Sequence, residues 1–357
     1  MSTVTIHPGG AMSSLPVSPG SSRAIGYWLL AVAALVFSMV IVGGITRLTE
    51  SGLSIVEWHP VSGILPPFGA EEWERAFRAY QQYPEYRLLN RGMTLAAFKN
   101  IYWWEYVHRL LGRLIGLAYA VPLALFWVRK RIPRGYKSRL LLILFLGALQ
   151  GGLGWIMVKS GLVSEPAVSH YRLTAHLLVA VTIYALLIWT ALDFLGARRR
   201  CRDRRLRHGV KGLVALIFVQ IGLGGLVAGL KAGHVYADWP WMNGRFFPDL
   251  AWSMRPLWRN LLDNAALVQF NHRLGAYALV LATAAIMIRS FTHRAPAPVK
   301  VGTMILLFLV VAQATLGVMT LLSGVVIPVA VLHQAGALIV LAGALDLLHL
   351  FKPEEGV

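Results

Sequence analysis

Of 357 residues, 57% are hydrophobic and only 14% charged, with a mean hydropathy of +0.60, where a soluble domain carries roughly 25% charged residues. This excludes a soluble globular protein and implies an integral membrane protein with several spans. The net charge of +18 sits on Lys and Arg between the apolar runs, which points to membrane orientation rather than nucleic acid, and the single cysteine, Cys201, excludes an internal disulfide, a zinc-thiolate site and an iron–sulfur site within one chain.

Residues 1–24 are rich in Ser, Pro and Gly, lack a signal-peptide layout, and read as a disordered cytoplasmic tail. Apolar runs long enough to cross a bilayer, for which about 20 residues are needed, predict eight transmembrane helices at 25–44, 102–128, 140–158, 173–195, 212–231, 266–289, 301–322 and 329–350. The loops "RKRIPRGYKSR" (129–139) and "ARRRCRDRRLRHGVK" (197–211), with Arg294 and Lys300 in a third, put three connections on the cytoplasmic or matrix side. Both termini then share that side. The long segments 45–101 and 232–265, rich in Trp, Pro and Gly, face outward and suit interfacial caps.

The chain repeats itself. "VGGITRLTESGLSIVEWHPVSG" aligns with "LGGLVAGLKAGHVYADWPWMNG" at an offset of 181 residues, pairing Gly43 with Gly224, Glu57 with Asp238 and Trp58 with Trp239. The alignment continues through His108 with His272, Gln150 with Gln313 and His176 with His333. The expected architecture is all-α: two tandem, pseudo-symmetric four-helix bundles of the same orientation. Residues 25–197 form the N-terminal half, 198–211 a basic cytoplasmic linker, 212–350 the C-terminal half and 351–357 a C-terminal tail.

Of eleven histidines, only His108, His176, His272 and His333 fall inside the spans, two per half and all at one depth near the outer face. Two level histidines on separate helices of a bundle can clamp a planar macrocycle through both axial positions of its iron. Gly112, Gly275 and Gly336 lie within a turn of these histidines and offer a flat wall. A lone intramembrane histidine can equally hydrogen-bond to a neighbouring helix; four in duplicated register favour two haems. Arg109, Arg113 and Arg273 are candidates for haem propionates, with snorkelling to the headgroups as the alternative. Glu57 and Asp238 are paired acidic candidates in the outer segments.

The halves differ at one position. Glu105 stands three residues before His108, on the same helical face, where the other half has Gln269 before His272. An ionisable group beside only one macrocycle points to chemistry there, although Glu105 can also pair with Arg109 one turn on. Glu-x-x-His also occurs in di-iron carboxylate sites, but the spans add only Asp193 and Asp346, too few for such a centre. No Ser-His-Asp triad or phosphate loop appears at believable spacing. Parallel repeats without a midplane charge pair also speak against a transporter.

Together "GGITRLTESGLSIVEW", "EYVHRLLGR", "MNGRFFPD", "QFNHRLGAY" and "LHQAGAL" resemble the haem A synthase family of cytochrome oxidase assembly, over about residues 25–350 and in the proteobacterial and mitochondrial form. One branch of that family carries a cysteine pair in the first outer loop, which this chain lacks. The resemblance implies oxidation of the C8 methyl of haem O to the formyl of haem A, through two hydroxylations and loss of water from a gem-diol. It implies a substrate haem between His108 and His176, a resident haem b on His272 and His333 that relays electrons, and Glu105 as the acid-base or charge-stabilising group. Expected partners are haem O synthase (protohaem farnesyltransferase), oxidase assembly factors, membrane lipid and a second copy of the chain, with an unidentified electron partner and no nucleic acid. The expected location is the bacterial cytoplasmic (inner) membrane, with the mitochondrial inner membrane as the alternative. The competing reading is a two-haem b-type cytochrome that exchanges electrons with quinone and leaves its haems unmodified.

Overall fold

The computed structural model describes residues 19–57, 64–162, 168–195 and 201–351. Residues 1–18 of the expected N-terminal tail lie outside the described residues, while 19–24 are helical; Trp58, part of the basic linker and all but the first residue of the C-terminal tail also lie outside them. The described residues form helices α1 (Pro19–Leu48), α2 (Gly69–Gln81), α3 (Pro84–Leu88), α4 (Leu95–Val128), α5 (Lys137–Gly161), α6 (His170–Leu195), α7 (Arg204–Gly229), α8 (Ala265–Thr292), α9 (Ala297–Leu322) and α10 (Ile327–His349). Eight of them are long and apolar enough to cross a membrane, and they coincide with the eight predicted spans. This is an all-helical, multi-pass membrane protein.

Several helices start where polar caps satisfy the free amides of a first turn. Thr94 Oγ1 accepts from Ala97 N at the start of α4, Asp203 accepts from Arg205 N and Leu206 N at α7, and Asn264 accepts from Ala266 N and Leu267 N at α8. Pro298 and Pro328 fall in the first turns of α9 and α10, where the missing N–H costs nothing.

Helices α1, α6, α7 and α10 form the centre; α4 packs on α1, α5 on α6, α8 on α7, and α9 on α8 and α10. In a bilayer such packing relies on close backbone approach rather than on the hydrophobic effect. Gly26 of α1 admits Leu195 of α6 so closely that a Cβ there would stand 2.6 Å from Leu195 Cγ. Gly225 and Gly229 of α7, one turn apart, admit Thr174 and His170 of α6 in the same way. At the inner end a buried polar cluster joins three helices: Asp193 of α6 accepts from Arg139 Nη1 of α5 at 2.7 Å and lies 2.9 Å from His349 Nε2 of α10.

The first outer segment is more structured than its composition suggests. Helix α2 is amphipathic and buries Trp73 and Tyr80 against Phe98 and Tyr102 of the outer extension of α4. Between the outer segments, Arg47 Nη2 donates to Ala228 O at 3.3 Å, and Lys231 forms an ion pair with Glu50. Both contacts join residues 181 apart, the offset at which the sequence repeats.

Candidate functional site

Each intramembrane histidine is faced by a glycine of the neighbouring helix. A Cβ on Gly43 (α1) would stand 3.2 Å from His108 Nε2; on Gly154 (α5), 3.3 Å from His176 Cε1; on Gly224 (α7), 3.2 Å from His272 Cε1; on Gly317 (α9), 2.8 Å from His333 Cε1. These four glycines, not the ones beside each histidine in sequence, are what the rings rest on. Gly112, Gly275 and Gly336 instead make room for side chains, Met39, Gln220 and Gln313 respectively. The flat wall expected at those three positions is therefore occupied, because each glycine faces a neighbouring helix rather than open space.

The ring centres of His272 and His333 lie 6.3 Å apart with their planes at 86°. Two opposed imidazoles bound to one metal ion at about 2 Å each bring the ring centres to roughly 6 Å once the rings' own radii are added. The pair thus fits an ion held through two axial positions, as in a bis-histidine haem. Among the described residues, no group of three or more His, Cys, Asp or Glu comes together, so the candidate donors come as pairs.

Glu105, one turn before His108 on α4, is 2% exposed. Its Oε2 accepts from Ser54 Oγ and from Ile55 N, both at 2.7 Å. Its Oε1 accepts from Arg109 Nη2 at 2.6 Å and Nε at 3.0 Å. A carboxylate has room for about four such bonds, so this one is filled, and filled entirely by donors. Arg109 also donates from Nη2 to Ile55 O at 2.8 Å and from Nη1 to Glu57 O at 3.5 Å. Arg109, a propionate candidate, is thereby tied to the first outer segment, and Glu57 enters through its main chain.

At the matching place in the other repeat, the polarity is reversed. Gln269 Nε2 donates to Tyr236 O at 2.9 Å, where Tyr236 is 181 residues after Ile55. Arg273 donates to Trp241 O at 2.9 Å and to Tyr236 O at 3.4 Å, while Gln269 Oε1 and Arg273 Nε stay buried without a hydrogen-bond partner, as does Asp238 Oδ1. Among the described residues, the ionic clasp thus stands beside His108 and not beside His272.

Outside the clasp, a cavity of about 620 Å³ opens between the first outer segment, α2 and α4. Ser54, Glu57, Tyr106, Arg109 and Arg113 border it. It is a vestibule of mixed character, lined also by Ile55, Leu65 and Phe68, and it brings Arg113 and Glu57 together. Sequence reasoning missed Ser54, Met39 and Gln220 as neighbours of the site. The repeat alignment contained the signal for the last two, since Met39 and Gln220 are 181 residues apart.

A family model described as "Cytochrome oxidase assembly protein" (COX15-CtaA) matches residues 26–345. The chain is 46% identical over 340 residues to a protein of Parvibaculum lavamentivorans named heme A synthase, covering 95% of this chain and 97% of the relative. It is 48% identical to the heme A synthase of Rhodopseudomonas palustris, covering 92% and 89% of the two chains. For that of Nitrosospira multiformis the identity is 45%, with 92% and 93% covered. With a family match and relatives that span nearly its full length, the chain belongs to the COX15-CtaA family of cytochrome oxidase assembly proteins.

Proposed function

We propose that the protein is a haem A synthase, which oxidises the C8 methyl of haem O to the formyl of haem A. The relatives' shared name and the full-length match support the activity. The single observation that carries the assignment of the reacting half is the clasp: a buried carboxylate beside His108, where the corresponding residue near His272 is an amide. On this reading the substrate haem lies between His108 and His176, and a resident haem b lies between His272 and His333. Haem b, when bound, supplies one-electron transfer.

The chain's own contribution follows from the clasp. All four hydrogen bonds to the Glu105 carboxylate come from Ser54, Ile55 and Arg109, so its oxygens are fixed in place, which suits charge stabilisation beside the reacting methyl. Fixed dipoles and charges aimed at developing charge act without reorganisation at the moment of reaction. Methyl to formyl is a four-electron oxidation, drawn as two successive hydroxylations to a gem-diol that loses water, and it requires an external oxidant and a source of oxygen atoms. Arg109, Arg113 and Arg273 are the candidates for propionate contacts on this reading, and Arg109 and Arg113 border the cavity. The basic connections support a bacterial cytoplasmic membrane location with both termini inside.

Replacing Glu105 by Ala tests the role. The variant, expressed with a haem O synthase, is expected to retain haem b and yield no haem A; full activity would refute the assignment.

A further inference from the structure

Gln220 of α7 and Gln313 of α9 each reach across to the histidine of the neighbouring helix and donate to its main-chain carbonyl, which sets the amide beside the ring. Gln220 Nε2 donates to His272 O at 2.8 Å and lies 3.1 Å from His272 Nδ1. Gln313 Nε2 donates to His333 O at 2.6 Å and lies 3.1 Å from His333 Nδ1, which is itself 3.2 Å from Gln313 O. An imidazole that binds metal through Nε2 carries its proton on Nδ1, and the bond this proton makes sets tautomer and orientation. The main-chain carbonyl of Gln313 is such an acceptor. Gly275 and Gly336, each three residues after its histidine, leave the space that the two amides fill.

The torsion that rotates an imidazole is broad and weakly held by itself. Here each ring rests against one neighbouring helix at two places a turn apart, Gln220 and Gly224 of α7 or Gln313 and Gly317 of α9, and the two planes stand at 86°. The first four spans are braced differently. The position corresponding to Gln220 is Met39, whose thioether has no donor and which packs toward Gly112. Gln150 stands where Gln313 does, yet His176 Nδ1 and Gln150 Oε1 are both buried without a hydrogen-bond partner.

We propose that Gln220 and Gln313 are positioning residues that lock His272 and His333 at right angles to each other as ligands of a permanently held haem, and that Met39 leaves His108 without this lock so that its haem can be exchanged. The inference rests on the reading of His272 and His333 as ligands of the resident haem. Its physical content is a division of labour: a braced pair retains its macrocycle, and an unbraced pair releases product.

The test is electron paramagnetic resonance and redox titration of the oxidised, purified full-length protein carrying its haem b. Perpendicular imidazole planes give a strongly anisotropic low-spin signal, whereas near-parallel planes give a rhombic one. The Gln220→Leu, Gln313→Leu double variant is expected to keep its haem, shift to the rhombic form and change its reduction potential. An unchanged signal and potential in the double variant would overturn the proposal. If that variant does not fold, Met39→Gln decides: it should raise the amount of haem O or haem A that co-purifies, on the order of the 10-fold effect typical of groups that orient ligands, and no increase would overturn the proposal. Failure of the underlying reading looks different. His272→Ala or His333→Ala would then keep the low-spin signal of haem b unchanged.

Discussion

Glu105 and Arg109, one helical turn apart on α4, close into a two-point ion pair at 2.6 and 3.0 Å, and the carboxylate's other oxygen is capped by the outer segment through Ser54 and Ile55. The pair is therefore a hinge pin between a membrane helix and the external loop above it, as well as a charge beside His108.

Removing part of the pin should cost both stability and turnover. Ser54→Ala deletes a hydrogen bond to a charged acceptor, worth about 1.5–3 kcal/mol. Arg109→Met leaves a buried carboxylate unpaired, at about 3–5 kcal/mol. Combining Arg109→Met with Glu105→Gln should be less destabilising than the sum of the two single changes. Thermal unfolding of the four proteins checks this, and strict additivity would show that the two side chains do not act as a unit.

The glycines beneath the rings should be graded in sensitivity. A Cβ at Gly317 would stand 2.8 Å from His333, against 3.2 Å for Gly224 and His272. Gly317→Ala should displace His333 and lower the haem b content more than Gly224→Ala does. Visible absorption per mole of purified protein measures it.

The cap over α4 should respond to pH through Glu85, a side chain of α3 that is 4% exposed. Burial pushes its carboxyl from 4.5 up to about 8, with Glu105 and Glu50 adding repulsion and the Tyr80 hydroxyl opposing it. A carboxyl raised in the folded state binds its proton more tightly there than when unfolded. The stability it contributes is thus fully present below 4.5 and is lost as pH rises toward about 8. Hydrogen exchange of the α2–α3 amides should accelerate across that window beyond its intrinsic pH dependence, and Glu85→Gln should flatten the excess.

The spans and the four histidines were legible in the sequence because a bilayer permits few solutions. Long apolar runs and rare polar intruders stand out against it. The cap helices α2 and α3 were not, since "GAEEWERAFRAYQ" sits in a segment read only by its Trp, Pro and Gly content, and its pattern gains meaning only when Trp73 and Tyr80 find Phe98 and Tyr102. The Glu105–Arg109 pair was foreseeable from spacing alone, whereas Ser54 and Ile55 come from a loop about fifty residues away and no local periodicity announces them. The wall expected at Gly112, Gly275 and Gly336 failed for a related reason: sequence shows that a residue is small, not which neighbour fills the space beside it.

The most direct test of the central claim is pigment analysis. Membranes holding this protein together with a haem O synthase are extracted and their haems separated by chromatography and identified by mass. The account predicts haem A, with its hydroxylated precursor, appearing only when this protein is present. Recovery of haem B and haem O alone, from a protein that nonetheless binds its haem, would contradict it and leave an electron-carrying cytochrome in its place.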